Sequence, residues 1–126
     1  MLHVDLNEKS AIATLRPDGA LTKDDFLLAS SIIDPFVEKS GKLHGIIIYV
    51  ESFPGWDSFG ALSSHFKFVN EHHKKVRAVA FVTNSALVGA AEHVAKHFVS
   101  AKIKSFTYDH LDEAKNWINE VNTKSA

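Results

Sequence analysis

Between His44 and Val50 the chain reads HGIIIYV, an apolar run with Ile46, Ile47 and Ile48 in succession. Successive side chains of a strand point to opposite faces, so a run without polar alternation has both faces covered. Such a strand belongs in the middle of a sheet. Val76 to Val82, VRAVAFV, reads as a second buried strand. Two strands of this kind, separated by a helical pattern, point to an α/β fold with a mostly parallel sheet.

The other elements follow from local signals. Residues 2–6 and 11–16 are short apolar runs separated by Asn7, Glu8, Lys9 and Ser10, a turn composition, and read as an antiparallel hairpin. Thr22 is a capping residue ahead of Asp24 and Asp25, whose charges suit the positive end of a helix. Phe26, Ala29, Ile33 and Phe36 then recur at spacings of three, four and three, one buried stripe. Pro35 lies inside that stripe. It lacks an N–H and its ring crowds the preceding turn, so a kink or a restart capped by Asp34 is expected. A second helix runs from about Asp57 or Ser58 to about His73, and a third from about Ser85 to about Ser100. Ile103 to Tyr108 is the last strand, and Asp109 caps a last helix carrying Leu111, Ala114, Ile118 and Val121. The expected order is ββαβαβαβα: an N-terminal antiparallel hairpin, then alternating strands and helices around a mostly parallel five-stranded sheet. Residues 1–126 form one domain, because a chain of this size closes a single core and buries roughly two thirds of its unfolded surface.

Composition removes several functions. With no Cys there is no disulfide framework, no thiol catalysis and no Cys-type zinc site, which fits the cytoplasm. The opening MLHVDLNEK has neither the basic start nor the apolar run of a signal peptide, and Ile46 to Val50 is too short to span a bilayer. Net charge is −1, yet residues 1–62 carry five Lys and Arg against nine Asp and Glu, whereas residues 63–126 carry nine against six. That polarity can orient a protein at an anionic surface. It is too diffuse for nucleic acid, which is not expected as a partner.

Aromatic residues crowd one segment. From Phe53 to Val69 the chain holds Phe53, Trp56, Phe59, Phe66 and Phe68, five of its eleven Phe and Trp residues. Phe59, Leu62, Phe66 and Val69 share a helical stripe and suit packing on the sheet. Phe53 and Trp56 fall in the turn after Val50, and Phe68 projects off the stripe beside Ala61, His65 and His72. Open α/β sheets bind ligands beyond the carboxyl ends of their strands, where this turn lies. Burying one such ring stabilises by roughly 2–3 kcal/mol, so the rings either close the end of the core or line a pocket for an apolar molecule. Gly55 and Gly60 bracket Trp56 and allow the segment to act as a lid. Lys67, Lys74 and Lys75 extend the same idea to peripheral contact with anionic headgroups. A homodimer through the aromatic edge would bury the same rings.

Catalytic patterns are missing from the sequence. His93 and His97 stand four apart, but Glu92 precedes His93 where a zincin has Glu after its first His, so no metal is expected. No strand is followed by a glycine-rich phosphate loop. Ser63, Ser64 and His65 are adjacent on one helix, so they point in different directions. Asp24 with Asp25, and Asp112 with Glu113, sit in first helical turns, where dipole complementarity explains them. Neither enzymatic activity nor a cofactor is expected.

The order of elements, Pro35 ahead of Gly41-Lys42, Gly55-Trp56-Asp57 after the central strand, and the tail KSFTYD (residues 104–109) with LDEA (111–114) and Trp117 resemble the SpoIIAA-like family, a relative of the STAS domain. The resemblance covers nearly the whole chain and implies a STAS-like fold. Anti-sigma factor antagonists of similar fold carry an Asp-Ser-Ser-Gly motif whose first Ser is phosphorylated. Asp57-Ser58-Phe59-Gly60 resembles it with Phe59 in place of the second Ser, which makes Ser58 a candidate switch. The family also looks like the CRAL-TRIO lipid-binding fold, in which movable helices enclose an apolar ligand. The expected function is a cytoplasmic or membrane-peripheral binding module for an apolar or lipid-like molecule, with a phosphorylation-controlled partner switch as the alternative.

Overall fold

Asn7 turns the chain at its first corner, where its Oδ1 accepts the backbone N–H groups of Lys9 (3.0 Å) and Ser10 (3.2 Å). Strand β1 (Leu2–Asn7) is thereby folded back antiparallel on β2 (Ile12–Pro17). The computed structural model describes residues 1–52, 59–72, 74–84 and 102–124. Within them follow α1 (Lys23–Ser40), β3 (Gly45–Tyr49), α2 (Phe59–His72), β4 (Ala78–Val82), β5 (Lys102–Phe106) and α3 (Leu111–Lys124). The expected helix over 85–100, with its Gly89-Ala90-Ala91, His93 and His97, lies outside the described residues.

The five strands lie side by side in chain order, β1-β2-β3-β4-β5, and every pair after the first is parallel. β3 is central, as its unbroken apolar run requires. Its alternation divides the core. On one face Ala13, Leu15 and Ile46 meet Phe26, Ala29, Ile33, Phe36 and Val37 of α1. On the other, Ile12, Ile47, Ala78, Ala80 and Val82 meet Ala114, Ile118 and Val121 of α3. The sheet is thus a middle layer with helices on both sides.

Thr22 caps α1 as expected: its hydroxyl accepts the Asp25 N–H (3.3 Å), and the Asp25 carboxylate accepts the Thr22 N–H (2.8 Å). Gly41 closes the other end at φ +92°, with its N–H donated to the Val37 carbonyl (2.7 Å). Two expectations are corrected. No restart occurs at Asp34: α1 runs as one helix through Pro35, which faces solvent, so water can serve the carbonyl that the proline leaves without a donor. Asp109 does not cap α3. Its carboxylate accepts the Thr107 hydroxyl (2.8 Å), and His110 stands between it and the helix.

α3 can lie low over the sheet because β3 begins with a glycine. A Cβ on Gly45 would stand 2.7 Å from Ile118 Cγ2 and 2.8 Å from Cδ1. Ile118 is fully buried, and burial of such a side chain stabilises by about 1.5–3 kcal/mol. Gly45→Ala is therefore expected to lower stability in urea unfolding by about 1–3 kcal/mol through overpacking. Adding Ile118→Val, which removes Cδ1, should recover part of that loss. A Gly45→Ala protein as stable as its parent would show that the helix shifts freely.

Candidate functional site

The loops leaving β3, β4 and β5 are tied together at the carboxyl edge. The Thr83 hydroxyl and the Asn84 N–H both donate to the Glu51 carbonyl (3.1 and 3.0 Å). The Thr83 N–H donates to the Phe106 carbonyl (3.0 Å), and the Tyr108 N–H to Asn84 Oδ1 (3.0 Å). Thr83 is buried at the centre of this stitching, and its outer bond, from Tyr108 to Asn84, is exposed. It fixes the points from which residues 53–58 and 85–101 depart.

Across the same edge stand the chain's two tyrosines. Tyr49, at the end of β3, and Tyr108, just beyond β5, stack with ring centroids 4.6 Å apart and planes 8° from parallel. The Arg16 guanidinium, from β2, lies 5.5 Å from the centroid of the Tyr49 ring, a cation–π contact. The Tyr49 phenol titrates above the usual tyrosine range. The hydrogen bond with the Tyr108 side chain is the main cause, followed by burial and by charge repulsion from Tyr108, and Arg16 opposes all three. At the start of α3, the Asp109 carboxyl is held below its ordinary value by the Thr107 hydroxyl, then by its own backbone N–H and by His110.

On the opposite face of the sheet, α1 and α2 meet through Phe68 and His72. The Phe68 ring lies 6.2 Å from Phe26 and 4.2 Å from the imidazole of His72, centroid to centroid. His72 Nδ1 donates to the Phe68 carbonyl (2.8 Å), and Nε2 faces Asp34 Oδ1 at 2.6 Å. The carbonyl and the carboxylate can only accept, so the ring serves both when both nitrogens carry hydrogens. The contact to Asp34 is then an ion pair in which the His72 side chain is 4% exposed and that of Asp34 42%.

Only part of the expected site falls within the described residues. Phe53, Trp56 and Ser58 lie outside them. Phe59 and Phe66 belong to α2, but their side chains are not among the described parts. Phe68 is half-buried and packs on α1. Lys67, Lys74 and Lys75 are all exposed. Lys74 and Lys75 sit at the amino edge, just ahead of the Leu43–Val76 bridge, at the other end of α2 from the aromatic turn. The sequence reading missed the Asp34–His72 clip and the tyrosine stack. Asp34 was assigned to cap a helix restart, although it lies one residue from Ile33 in the buried stripe. The stack was signalled only by the placing of both tyrosines at strand ends.

A SpoIIAA-like family model matches residues 12–119. A solved structure, an uncharacterized protein with a SpoIIAA-like fold from Shewanella loihica PV-4, is 20% identical, with a TM-score of 0.69 over 94% of this chain and 92% of that one. At this identity the likeness speaks for the fold alone. No curated protein matches the chain. No described helix is long and apolar enough to cross a membrane. Among the described residues, no three His, Asp or Glu side chains gather into a metal site.

Two measurements test this geometry. In an alkaline titration followed by phenolate absorbance, Tyr49 should ionise above the ordinary tyrosine value of about 10. Tyr108→Phe should bring it back down. Because the folded state raises this pKa, the associated stability is present below about pH 10 and lost as the pH climbs through the folded value. An unmoved titration in Tyr108→Phe would remove the hydrogen bond as the cause. Asp34→Ala leaves the His72 Nε2–H without its acceptor and should lower stability by about 1–2 kcal/mol. Amide exchange at residues 68–72 should quicken with it, and unchanged exchange would mean that the clip does not hold α2.

Proposed function

The chain belongs to the SpoIIAA-like family, and from that premise we propose that it is a non-enzymatic binding module for an apolar, lipid-like molecule. The ligand lies between α1 and the first half of α2. The supporting observation is Leu27. It stands seven residues before Asp34, so the two share one row along α1, and Asp34 reaches α2 through His72. Leu27 therefore lies on the flank turned toward α2, yet it is 58% exposed, with Leu28 beside it at 44%. The helices are clipped together at His72, and toward the carboxyl edge this row of α1 leaves Leu27 uncovered.

An apolar chain laid along that row would cover Leu27 and the half-buried Phe68. Covering one leucine-sized side chain is worth about 1.5–3 kcal/mol, or roughly ten- to a hundredfold in affinity. Peripheral membrane contact is a way of loading the same groove, with exposed Lys67 near the headgroups.

Native mass spectrometry of protein from cell extract should reveal a bound lipid-sized mass. Oleate should alter the fluorescence of Trp56 in a Trp117→Phe background, and Leu27→Asp should weaken the response about tenfold or more without lowering stability. Absence of any bound species, together with fluorescence indifferent to oleate and to liposomes, would end this reading.

A further inference from the structure

A second opening lies at the amino edge of the sheet, away from the apolar row. It is a cleft of about 480 Å³ lined by His44, Arg77, Asn119, Asn122 and Thr123. That size is within the roughly 300–1,000 Å³ range of small-molecule sites. Its chemistry is unlike that of the α1–α2 groove. Among the described residues the walls carry a guanidinium, an imidazole, two carboxamides and a hydroxyl, and no carboxylate.

The cleft is built by the strand starts and by the last turns of α3. His44 precedes β3 and Arg77 precedes β4. The Arg77 N–H donates to the carbonyl of Leu43 (3.2 Å), next to His44, and the His44 N–H donates to the Ala11 carbonyl ahead of β2 (2.9 Å). On α3, Asn122 Nδ2 donates to the His44 carbonyl (3.0 Å) and to the Ile118 carbonyl (2.8 Å), locking the helix end against β3. Arg77 is exposed and makes no ion pair with any described residue.

The surroundings reinforce its charge. Lys42, Lys74, Lys75 and Lys102 are exposed in the segments that border the cleft, and residues 42–50, 74–84 and 102–108 contain no Asp or Glu. The Leu43 N–H donates to the Lys75 carbonyl and the Lys102 N–H to the Arg77 carbonyl, which holds those segments side by side. Basic residues also complement the carboxyl ends of helices, and all three described helices end on this side. Each helix end is worth only about half an elementary charge, and exposed Glu38, Glu71 and Glu120 in the last turns of the three helices offset part of the five cations.

We propose that this cleft binds an oxyanion, a phosphate or carboxylate on a small polar molecule, with Arg77 as the anchoring side chain. The guanidinium presents paired N–H donors that match two oxygens of such a group, and Asn119 and His44 supply further polar contacts. The oxyanion can belong to a free small molecule or to a lipid headgroup.

Amide shifts of the ¹⁵N-labelled chain, titrated with inorganic phosphate and with glycerol 3-phosphate, test the site. Residues 43–45, 76–78 and 119–123 should shift and saturate at about 1–10 mM. Arg77→Gln should weaken the titration about tenfold while leaving the rest of the spectrum in place, and Lys67→Gln should not change it. Phosphatidylcholine vesicles with and without phosphatidylserine separate the sources. Arg77-dependent sedimentation with the anionic vesicles alone, and no response to the soluble phosphates, assigns the oxyanion to a headgroup. Saturation by the soluble phosphates without vesicle binding assigns it to a free molecule. Shifts that never saturate, or that are identical in Arg77→Gln, would overturn the proposal.

Discussion

Both faces of β3 are buried, and the molecule is arranged around that condition. Ile46 and Ile47 point to opposite sides, so neither side can be given to water without leaving apolar area exposed at about 25 cal/mol per Å². β2 and β4 take up the hydrogen bonds along the edges of β3, and helices must close the space above and below it. α1 closes one side with aromatic and branched residues. α3 closes the other with Ile118 lying directly over Gly45. Once these layers are in place, the two ends of the sheet have different surroundings.

At the carboxyl end the loops are tied to one another, and aromatic rings gather over the stitching. At the amino end the helices finish and cations collect. α2 joins the two ends, and its angle is held at its last turn by His72 in contact with Asp34. The first turns of α2 lie toward the carboxyl end, next to the segment that carries Trp56. A clip at one end of a helix leaves the other end the easier part to displace. The apolar reading and the oxyanion reading therefore concern separate surfaces and do not compete for the same atoms.

Much of the fold could be read from short-range pattern. The Asn7 turn, the Thr22 cap and the spacing in α3 are local signals, and each element they predict is present with its boundaries moved by a residue or two. Pro35 misled because its cost depends on which side of the helix it occupies, a tertiary fact. Asp109 misled because a nearby hydroxyl, Thr107, competes for its carboxylate. The candidate sites were less legible. Asp34 and His72 are 38 residues apart, and Tyr49 and Tyr108 are separated by β4 and β5, so no window of sequence contains either pair. Arg77 lies within VRAVAFV, which reads as a buried strand, and only the meeting of the strand starts with the end of α3 places it at a cleft.

The strands also stand in space in the order in which they occur along the chain. No strand has to be inserted between two that are already joined, so the sheet can lengthen by accretion as each segment leaves the ribosome, each new strand pairing with the one made before it. The layer formed by α3 is different. Its residues follow all five strands in the chain, so Ile12, Ile47 and Val82 wait for the closing helix longer than the α1 side does. Any truncation or stalled synthesis that withholds residues 111–124 strips a greasy sheet face of this cover, which makes α3 the guard against aggregation of the unfinished chain.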